Sequence, residues 1–339
     1  MTQPPSPTLV ALPAIIADIG GTNGRFAIVA RDGSVGPTTV IETRHRPSLD
    51  EAIDLDLRPL SPEPIRSAVL AMATVVEGEV IQLTNGPWFA EPRAMIAKGG
   101  FSDVIVINDF EALALSLPSL TDADLDPVGP RLPRGAGTRL VIGPGTGLGA
   151  AALIDANGVW VPSGGEGGHV DFGPKTARDA AVWPHLPGLF GRISAESVIS
   201  GTGMVGLYRA VAAADGMPAP LSTAPEVGEA GITGTDPVAV ATVDLFCRLL
   251  GRYAGDLALI FMAKGGVYIG GGIAPRFAPV LQSGGFREAF LDKAPYHDLL
   301  AGFSTAIITH PCPALAGLAA MVLDPARYAI GLAGRRWTA

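Results

Sequence analysis

Apolar residues in this chain fall into two patterns: short unbroken runs, and longer stretches with helical spacing. Two of the short runs enter a glycine-rich turn and leave it as a second apolar run. Ile15-Ile16-Ala17-Asp18-Ile19 leads into Gly20-Gly21-Thr22-Asn23-Gly24, and Phe26-Ala27-Ile28-Val29 leads away. Leu140-Val141-Ile142 leads into Gly143-Pro144-Gly145-Thr146-Gly147, and Leu148 to Ile154 leads away. Short apolar runs bounded by glycine read as buried strands, so each segment predicts a strand–turn–strand hairpin. The second hairpin reads as a repeat of the first.

Between and beyond the hairpins the pattern alternates. A third strand is expected near Thr38–Thr43, a helix around Leu49–Asp56, a buried strand over Ile65–Ala73 and a short pair over Val75–Leu83. Val104-Ile105-Val106-Ile107 is another buried strand, and Phe110–Leu117 contains helix formers. Strands alternating with helices predict a mixed α/β architecture. Pro118–Gly137 reads as a connector and a domain boundary. Helices are expected at Ala177–Leu186, Ser194–Ser200 and Met204–Ala214, with a surface loop over Ala219–Asp236. Asp236–Met262 carries Val243, Phe246, Leu249, Leu250, Tyr253, Leu257 and Ile260 at helical intervals. Strands at Val267–Ile269 and Thr305–Thr309 and a helix at Ala314–Val322 complete the pattern. The expected division is a smaller domain over residues 1–118, rejoined by a C-terminal helix over about 314–339, and a larger one over 119–313.

Composition narrows the class. A chain of 339 residues suits two domains, and 48% hydrophobic against 17% charged residues excludes disorder as its main state. A net charge of −8 argues against generic nucleic-acid binding, and the arginines are scattered rather than clustered. Two cysteines, Cys247 and Cys312, make neither a disulfide framework nor a zinc site, so a cytoplasmic location is expected. The polar, proline-rich Met1 to Pro7 lacks the basic region of a signal peptide. Uncharged runs are broken by glycine or proline before they reach membrane length, and a soluble protein with no membrane partner is expected.

The turns carry the candidate chemistry. Glycines let backbone N–H groups approach an anion closely, and a threonine adds a hydroxyl donor. Neither turn ends in the Lys-Ser/Thr of a Walker loop, and neither opens a helix. Two such turns in two halves of one chain point to a nucleotide's phosphates gripped from both sides of a cleft. Asp18, at the end of the first strand, could organise a divalent cation beside them, or it could simply start a turn. Asn108-Asp109 closes a buried strand and opens a helix. A carboxylate there could take a proton from an attacking hydroxyl, or the pair could be an ordinary helix cap. Gly164-Gly165-Glu166-Gly167-Gly168-His169-Val170-Asp171 sets two acids and a histidine in a glycine-rich turn suited to binding several hydroxyls. Glu196 reads from its position as a first-turn helix acid. Thr84-Asn85 and Trp88 read as an ordinary loop. Gly270-Gly271-Gly272 follows a strand and could let a backbone approach a planar base.

Together these segments resemble bacterial glucokinase, in the hexokinase-type branch without the zinc-binding cysteines of the repressor–ORF–kinase family. The carriers are Ala17-Asp18-Ile19-Gly20-Gly21-Thr22-Asn23, Ile107-Asn108-Asp109-Phe110, Gly143 through Gly149, Gly165 through Phe172, Ser194 through Gly201 and Gly270 through Phe277. The resemblance implies an α/β, actin-like, ribonuclease-H-like duplicated fold of two domains closing around ATP and glucose. It implies ATP-dependent phosphorylation of the glucose 6-hydroxyl, the entry step of glycolysis, with Mg²⁺ accompanying ATP and no zinc. Asp109 would be the base, with Asn108, Asp109, Glu166, His169 and Glu196 on the sugar, which reverses the bland reading of Glu196. Gly20, Gly21, Thr22, Asn23, Gly145, Thr146 and Gly147 would hold the phosphates, Asp18 the Mg²⁺ through water, and Gly271 and Gly272 would lie near the adenosine.

Two stretches depart from the family pattern. The turn Thr84–Trp88 carries Gly86-Pro87 in place of two polar residues, and Pro311–Gly317 differs from the usual Asn-Pro-Gly-Leu-containing stretch. The tail beyond Leu323 has no counterpart in the resemblance. A kinase for mannose or fructose is the nearest rival. A sugar-sensing regulator would need a DNA-binding module, for which the seventeen residues before Asp18 are too few. A homodimer is a candidate assembly, and the sequence does not fix the oligomeric state.

Overall fold

The structure, a computed structural model, describes residues 8–339, and the proline-rich Met1 to Pro7 lies outside the described residues. The chain forms two compact units. One comprises the described residues up to Leu120 with Leu153–Gly164 and His310–Ala339; the other comprises Thr121–Ala152 and Gly165–Thr309.

The sheet of the first unit contains β1 (Ala14–Ile19), β2 (Asn23–Val29), β3 (Thr39–Glu42), β4 (Ser67–Met72), β7 (Asp103–Asn108) and the C-terminal strand Arg336–Thr338. A separate two-stranded ribbon pairs β5 (Ile81–Gln82) with β6 (Phe89–Ala90). From one edge the six-stranded order is C-terminal strand, β7, β4, β1, β2, β3. Strands β1, β4 and β7 run parallel, and β2, β3 and the C-terminal strand pair antiparallel. All six residues of β4 are buried, as expected for a central parallel strand covered on both faces. Ile19, Met72 and Asn108 stand level across the sheet, so β1 and β7 end at the same edge.

The helix Asp109–Ser116 begins where β7 stops and packs against the helix Pro313–Leu323. A Cβ on Gly317 would lie 2.1 Å from the Ala112 carbonyl oxygen, so the two backbones touch and only glycine fits. The expected helix over 314–339 is corrected here. It ends at Leu323, because Pro325 forces Asp324 out of the helical region (φ −135°, ψ 64°). The tail then returns as a strand on β7, with Trp337 buried and Arg336 gripping Asp103 at 2.6 and 3.1 Å.

The second six-stranded sheet contains β8 (Leu125–Pro127), β9 (Arg139–Pro144), β10 (Leu148–Ala156), β11 (Val159–Gly165), β12 (Val267–Ile269) and β13 (Thr305–Ile308). Their order is β11, β10, β9, β12, β13, β8, and the division between units falls within β10. Strands β9, β12 and β13 are parallel, with Ile142, Ile269 and Ile307 level. Strand β8 closes the edge antiparallel to β13. Each sheet therefore places a glycine-turn hairpin and its next strand beside two parallel strands and an antiparallel edge strand. This is the duplicated α/β fold that the resemblance implies.

Four local expectations need correction. The Pro118–Gly137 connector contains β8, because the edge of β13 needs a backbone partner. Of the Val75–Leu83 pair only Ile81–Gln82 is strand, and its mate is Phe89–Ala90. Ser194–Ser200 is a run of turns and not a helix. Ala219–Asp236 is not all loop: Ala224–Thr233 is a helix with a Thr223/Glu226 capping box and a left-handed Gly234 at its end. Its glycines mislead as breakers. A Cβ on Gly231 would lie 2.4 Å from Val243, so that glycine permits close packing on the helix Pro237–Phe261. This long helix begins and ends as expected, with Asp236 accepting from the Ala239 N–H (2.8 Å) and Met262 left-handed at φ 46°.

Candidate functional site

In the first unit the turn after β1 is closed by the Gly20 N–H donating to the Asn23 carbonyl (3.0 Å). Thr43, buried beneath it, donates its hydroxyl to Gly21 O at 2.8 Å and its N–H to Thr22 O at 2.9 Å. Thr22 itself is exposed. A Cβ on Gly21 would fall 1.7 Å from the Asn85 carbonyl oxygen, so the Thr84–Trp88 turn leans directly on this loop. Trp88 anchors that turn: it is fully buried, its Nε1 donates to Arg46 O (2.9 Å), and its ring packs against Phe26. The bland loop reading of Trp88 is thereby corrected, because the indole is part of the core.

Asp18 stands opposite Arg25 in the β1–β2 ladder, with 3.7 Å between carboxylate and guanidinium. Its side chain is 22% exposed. Burial pushes its carboxyl above the usual range, and Arg25 offsets part of that rise.

Asn108 and Asp109 lie at the same sheet edge as the Gly20 turn, two strand spacings away, about 10 Å. Asn108 is the helix cap. Its Oδ1 accepts from the N–H groups of Phe110 (2.8 Å) and Glu111 (3.3 Å), and its Nδ2 donates to Thr74 O (3.1 Å). One amide hydrogen is left for another acceptor. Asp109 follows as the first helical residue, half-buried, with Oδ1 accepting from the Phe110 N–H at 3.0 Å. Glu111 completes the capping box and is held in turn by Arg335 at 2.5 Å. The tail thus braces the helix that presents Asp109, a role the sequence pattern did not reveal.

In the second unit the turn after β9 is closed by the Gly145 N–H donating to Gly147 O (2.9 Å). The first turn of the helix Gly201–Asp215 supports it: Gly201 N–H donates to Gly145 O (2.8 Å), and the Thr202 hydroxyl to Thr146 O (2.8 Å). Gly271, at φ +79°, packs against the same loop, where a Cβ would lie 2.5 Å from Pro144 O. Among the described residues, a Cβ on Gly145 or Gly272 would meet nothing within 4 Å.

Glu196 joins this turn to the Glu166–His169 segment. Its Oε2 accepts from the Leu148 N–H (2.9 Å), and a Cβ on Gly147 would be 2.5 Å from the same oxygen. Its own N–H donates to Gly168 O (2.8 Å). The helix-start reading of Glu196 is corrected, because it occupies a turn with its carboxylate directed at Leu148. Glu166 and His169 are 60% and 41% exposed, and their nearest charged atoms are 3.9 Å apart, too far for a hydrogen bond. Both side chains are thus available to a ligand. Behind them Arg252 pins the end of the segment, bonding Asp179 (2.8 Å) and Gly173 O (2.7 Å) while lying 3.9 Å above the Phe172 ring. Thr43, Thr202 and Arg252 were not singled out by sequence reasoning, since each acts on a residue distant in the chain.

Among the described residues no cluster of three or more His, Cys, Asp or Glu could hold a metal unaided, and no helix is long and apolar enough to cross a membrane. Cys247 is buried in the long helix, where burial raises its thiol pKa, and both cysteines are unpaired.

A family model described as Glucokinase matches residues 15–325. The glucokinase of Mesorhizobium japonicum is 47% identical over 334 residues, covering 98% of this chain and 98% of its own. Among solved structures, a glucokinase from an Antarctic psychrotroph superposes with a TM-score of 0.81 at 31% identity, covering 92% of this chain and 98% of that one. A Balamuthia mandrillaris glucokinase in complex with glucose superposes at 0.75 and 22% identity, covering 91% of this chain and 93% of that one, and supports the fold alone.

Proposed function

This chain belongs to the glucokinase family, and from that membership we propose that it transfers the γ-phosphoryl group of ATP to the 6-hydroxyl of glucose. The observation that supports the reading best is a half-buried carboxylate, Asp109, at the end of β7 and level with a glycine turn. Phosphoryl transfer asks a protein mainly to position the reactants and to stabilise charge, with one base to take the hydroxyl proton. In our reading Asp109 is that base, and Asn108 offers its remaining amide hydrogen to the sugar. Glu166, His169 and Glu196 bind the other hydroxyls, two from an exposed segment and one from beside the second turn.

The turns Gly20–Asn23 and Gly145–Gly147 hold the phosphates, and Gly271 and Gly272 lie near the adenosine. The open space at Gly145 and Gly272 supports this assignment, since neither glycine is needed for packing. Asp18 fits a Mg²⁺ carried in with ATP: it supplies one carboxylate at the strand end beside the turn, and a cation would offset its unfavourable burial. Bound there, Mg²⁺ would neutralise charge on the phosphate oxygens. No zinc enters the reading. Two unpaired cysteines support a reducing, cytoplasmic location.

A coupled assay with ATP and a panel of glucose, mannose and fructose tests the proposal. The expected result is the highest kcat/KM on glucose. A higher value on mannose or fructose would reassign the acceptor, and no turnover on any hexose would refute the kinase reading.

A further inference from the structure

Tyr253, on the helix Pro237–Phe261, is 2% exposed, and its ring meets Phe172 edge-on at 6.2 Å. Its hydroxyl is buried yet finds no hydrogen-bond partner among the described residues. The hydroxyl lies directly under the Glu166–His169 segment. A Cβ on Gly167 would be 2.7 Å from Oη but 4.0 Å from the ring carbon that carries it. Gly167 does not have a left-handed backbone, so conformation alone does not demand glycine there. The glycine makes room for a hydroxyl that has no protein acceptor among the described residues. A buried donor without an acceptor costs stability, and phenylalanine would fill the same space without that cost. Two unusual features, the orphan hydroxyl and the missing methyl, thus meet at one point under the segment assigned to the sugar.

We propose that Tyr253 is a positioning residue for sugar binding: its O–H donates to the Glu166–Gly167 part of the turn when the turn settles around the sugar. The inference rests on the assignment of Glu166 and His169 to the hexose. The turn offers backbone acceptors. The carbonyls of Glu166 and Gly167 take single N–H donors, from His169 (3.0 Å) and Val170 (3.2 Å), and a carbonyl has two lone pairs. Movement of the turn toward the ring would complete the bond, with the tyrosine held by its helix and by the Phe172 contact. Burial raises the Tyr253 pKa, so the phenol remains a donor across the working pH range. The bond would exist in the sugar-bound form and not in the free form, adding to sugar affinity.

The test compares Tyr253→Phe with the wild type by thermal melting with and without glucose, and by steady-state kinetics. The free variant is expected to melt at the same temperature or higher. The stabilisation produced by glucose should shrink, and KM for glucose should rise roughly three- to tenfold, with kcat and KM for ATP nearly unchanged. An unchanged glucose KM and an unchanged glucose-induced shift would overturn the proposal. Gly167→Ala provides a second arm. Alone it should lower both stability and sugar affinity; combined with Tyr253→Phe it should recover most of its stability, because the clash with Oη disappears. Failure of that rescue would overturn the pairing of Tyr253 with this turn on which the proposal stands. If wild-type protein shows neither a melting shift nor turnover with any hexose, the hexose assignment itself fails, which is a different result.

Discussion

The two sheets share one strand order, but the ends of their parallel strands differ in chemistry. Where the parallel strands of the first unit end there are side chains: Asp18 just before the turn after β1, and Asn108 and Asp109 at the end of β7. The level ends of the second sheet carry Ile142, Ile269 and Ile307, followed by glycine turns after β9 and β12. The topology was duplicated and the charge was not. The two glycine turns also differ in what holds them. The first is packed from outside, by Asn85 over Gly21 and Thr43 beneath. The second is tied at its flank by a helix start and by Glu196, and leaves Gly145 open. Similar glycines can therefore be present for different reasons, and substitutions should separate them.

The largest expected effect falls on the carboxylate that has no counterpart in the second sheet. Asp109→Asn keeps the size of the side chain but cannot accept a proton. Turnover should fall by roughly 10²–10⁴ with calorimetric glucose affinity little changed. Near-normal turnover would reduce Asp109 to a helix-end residue. Glu196→Gln should contrast with it: sugar affinity should suffer at least as much as turnover.

A second comparison sets the glycine turns against each other. Gly21→Ala forces a methyl into the Asn85 carbonyl, so the free protein should lose on the order of 1–3 kcal/mol. Gly145→Ala meets no atom, so the variant should melt within a degree or two of the wild type while KM for ATP rises. Equal melting temperatures for the two variants would erase the distinction between a packed and an open turn.

The smallest effect concerns Asp18. Burial raises its folded-state pKa above the ordinary 3.8, so its charge opposes folding at neutral pH. The opposition is relieved as pH falls from the raised folded value toward the unfolded one. Asp18→Asn should therefore raise the melting temperature of the ligand-free protein at pH 7, by about 1–3 °C, with the advantage fading as pH approaches 4. The pull of Arg25 works against this gain. A variant less stable than the wild type at pH 7 would show that the Arg25 pair outweighs the burial cost.

Much of this molecule is local chemistry and was legible in the chain. The hairpins, the parallel core strands and the long helix follow from runs of apolar residues, a capping Asp236 and glycines at turns, because each depends on neighbours a few residues away. Local reading failed where the partner lay far off. Ala224–Thr233 reads as a loop because glycines that permit close packing look the same in sequence as glycines that break helices. Trp88 looked like a loop residue because its acceptor, Arg46 O, is forty-two positions away. The tail does not read as a strand because nothing near Arg336 in sequence indicates Asp103. In the candidate site, the motifs marked which residue types were available, while packing decided what each one touches. Asn108 was committed to a helix end, Glu196 to the Leu148 N–H, and Tyr253 to a place under Gly167. Hydrogen bonds and van der Waals contacts act over a few ångströms, and only the folded chain brings these distant residues that close.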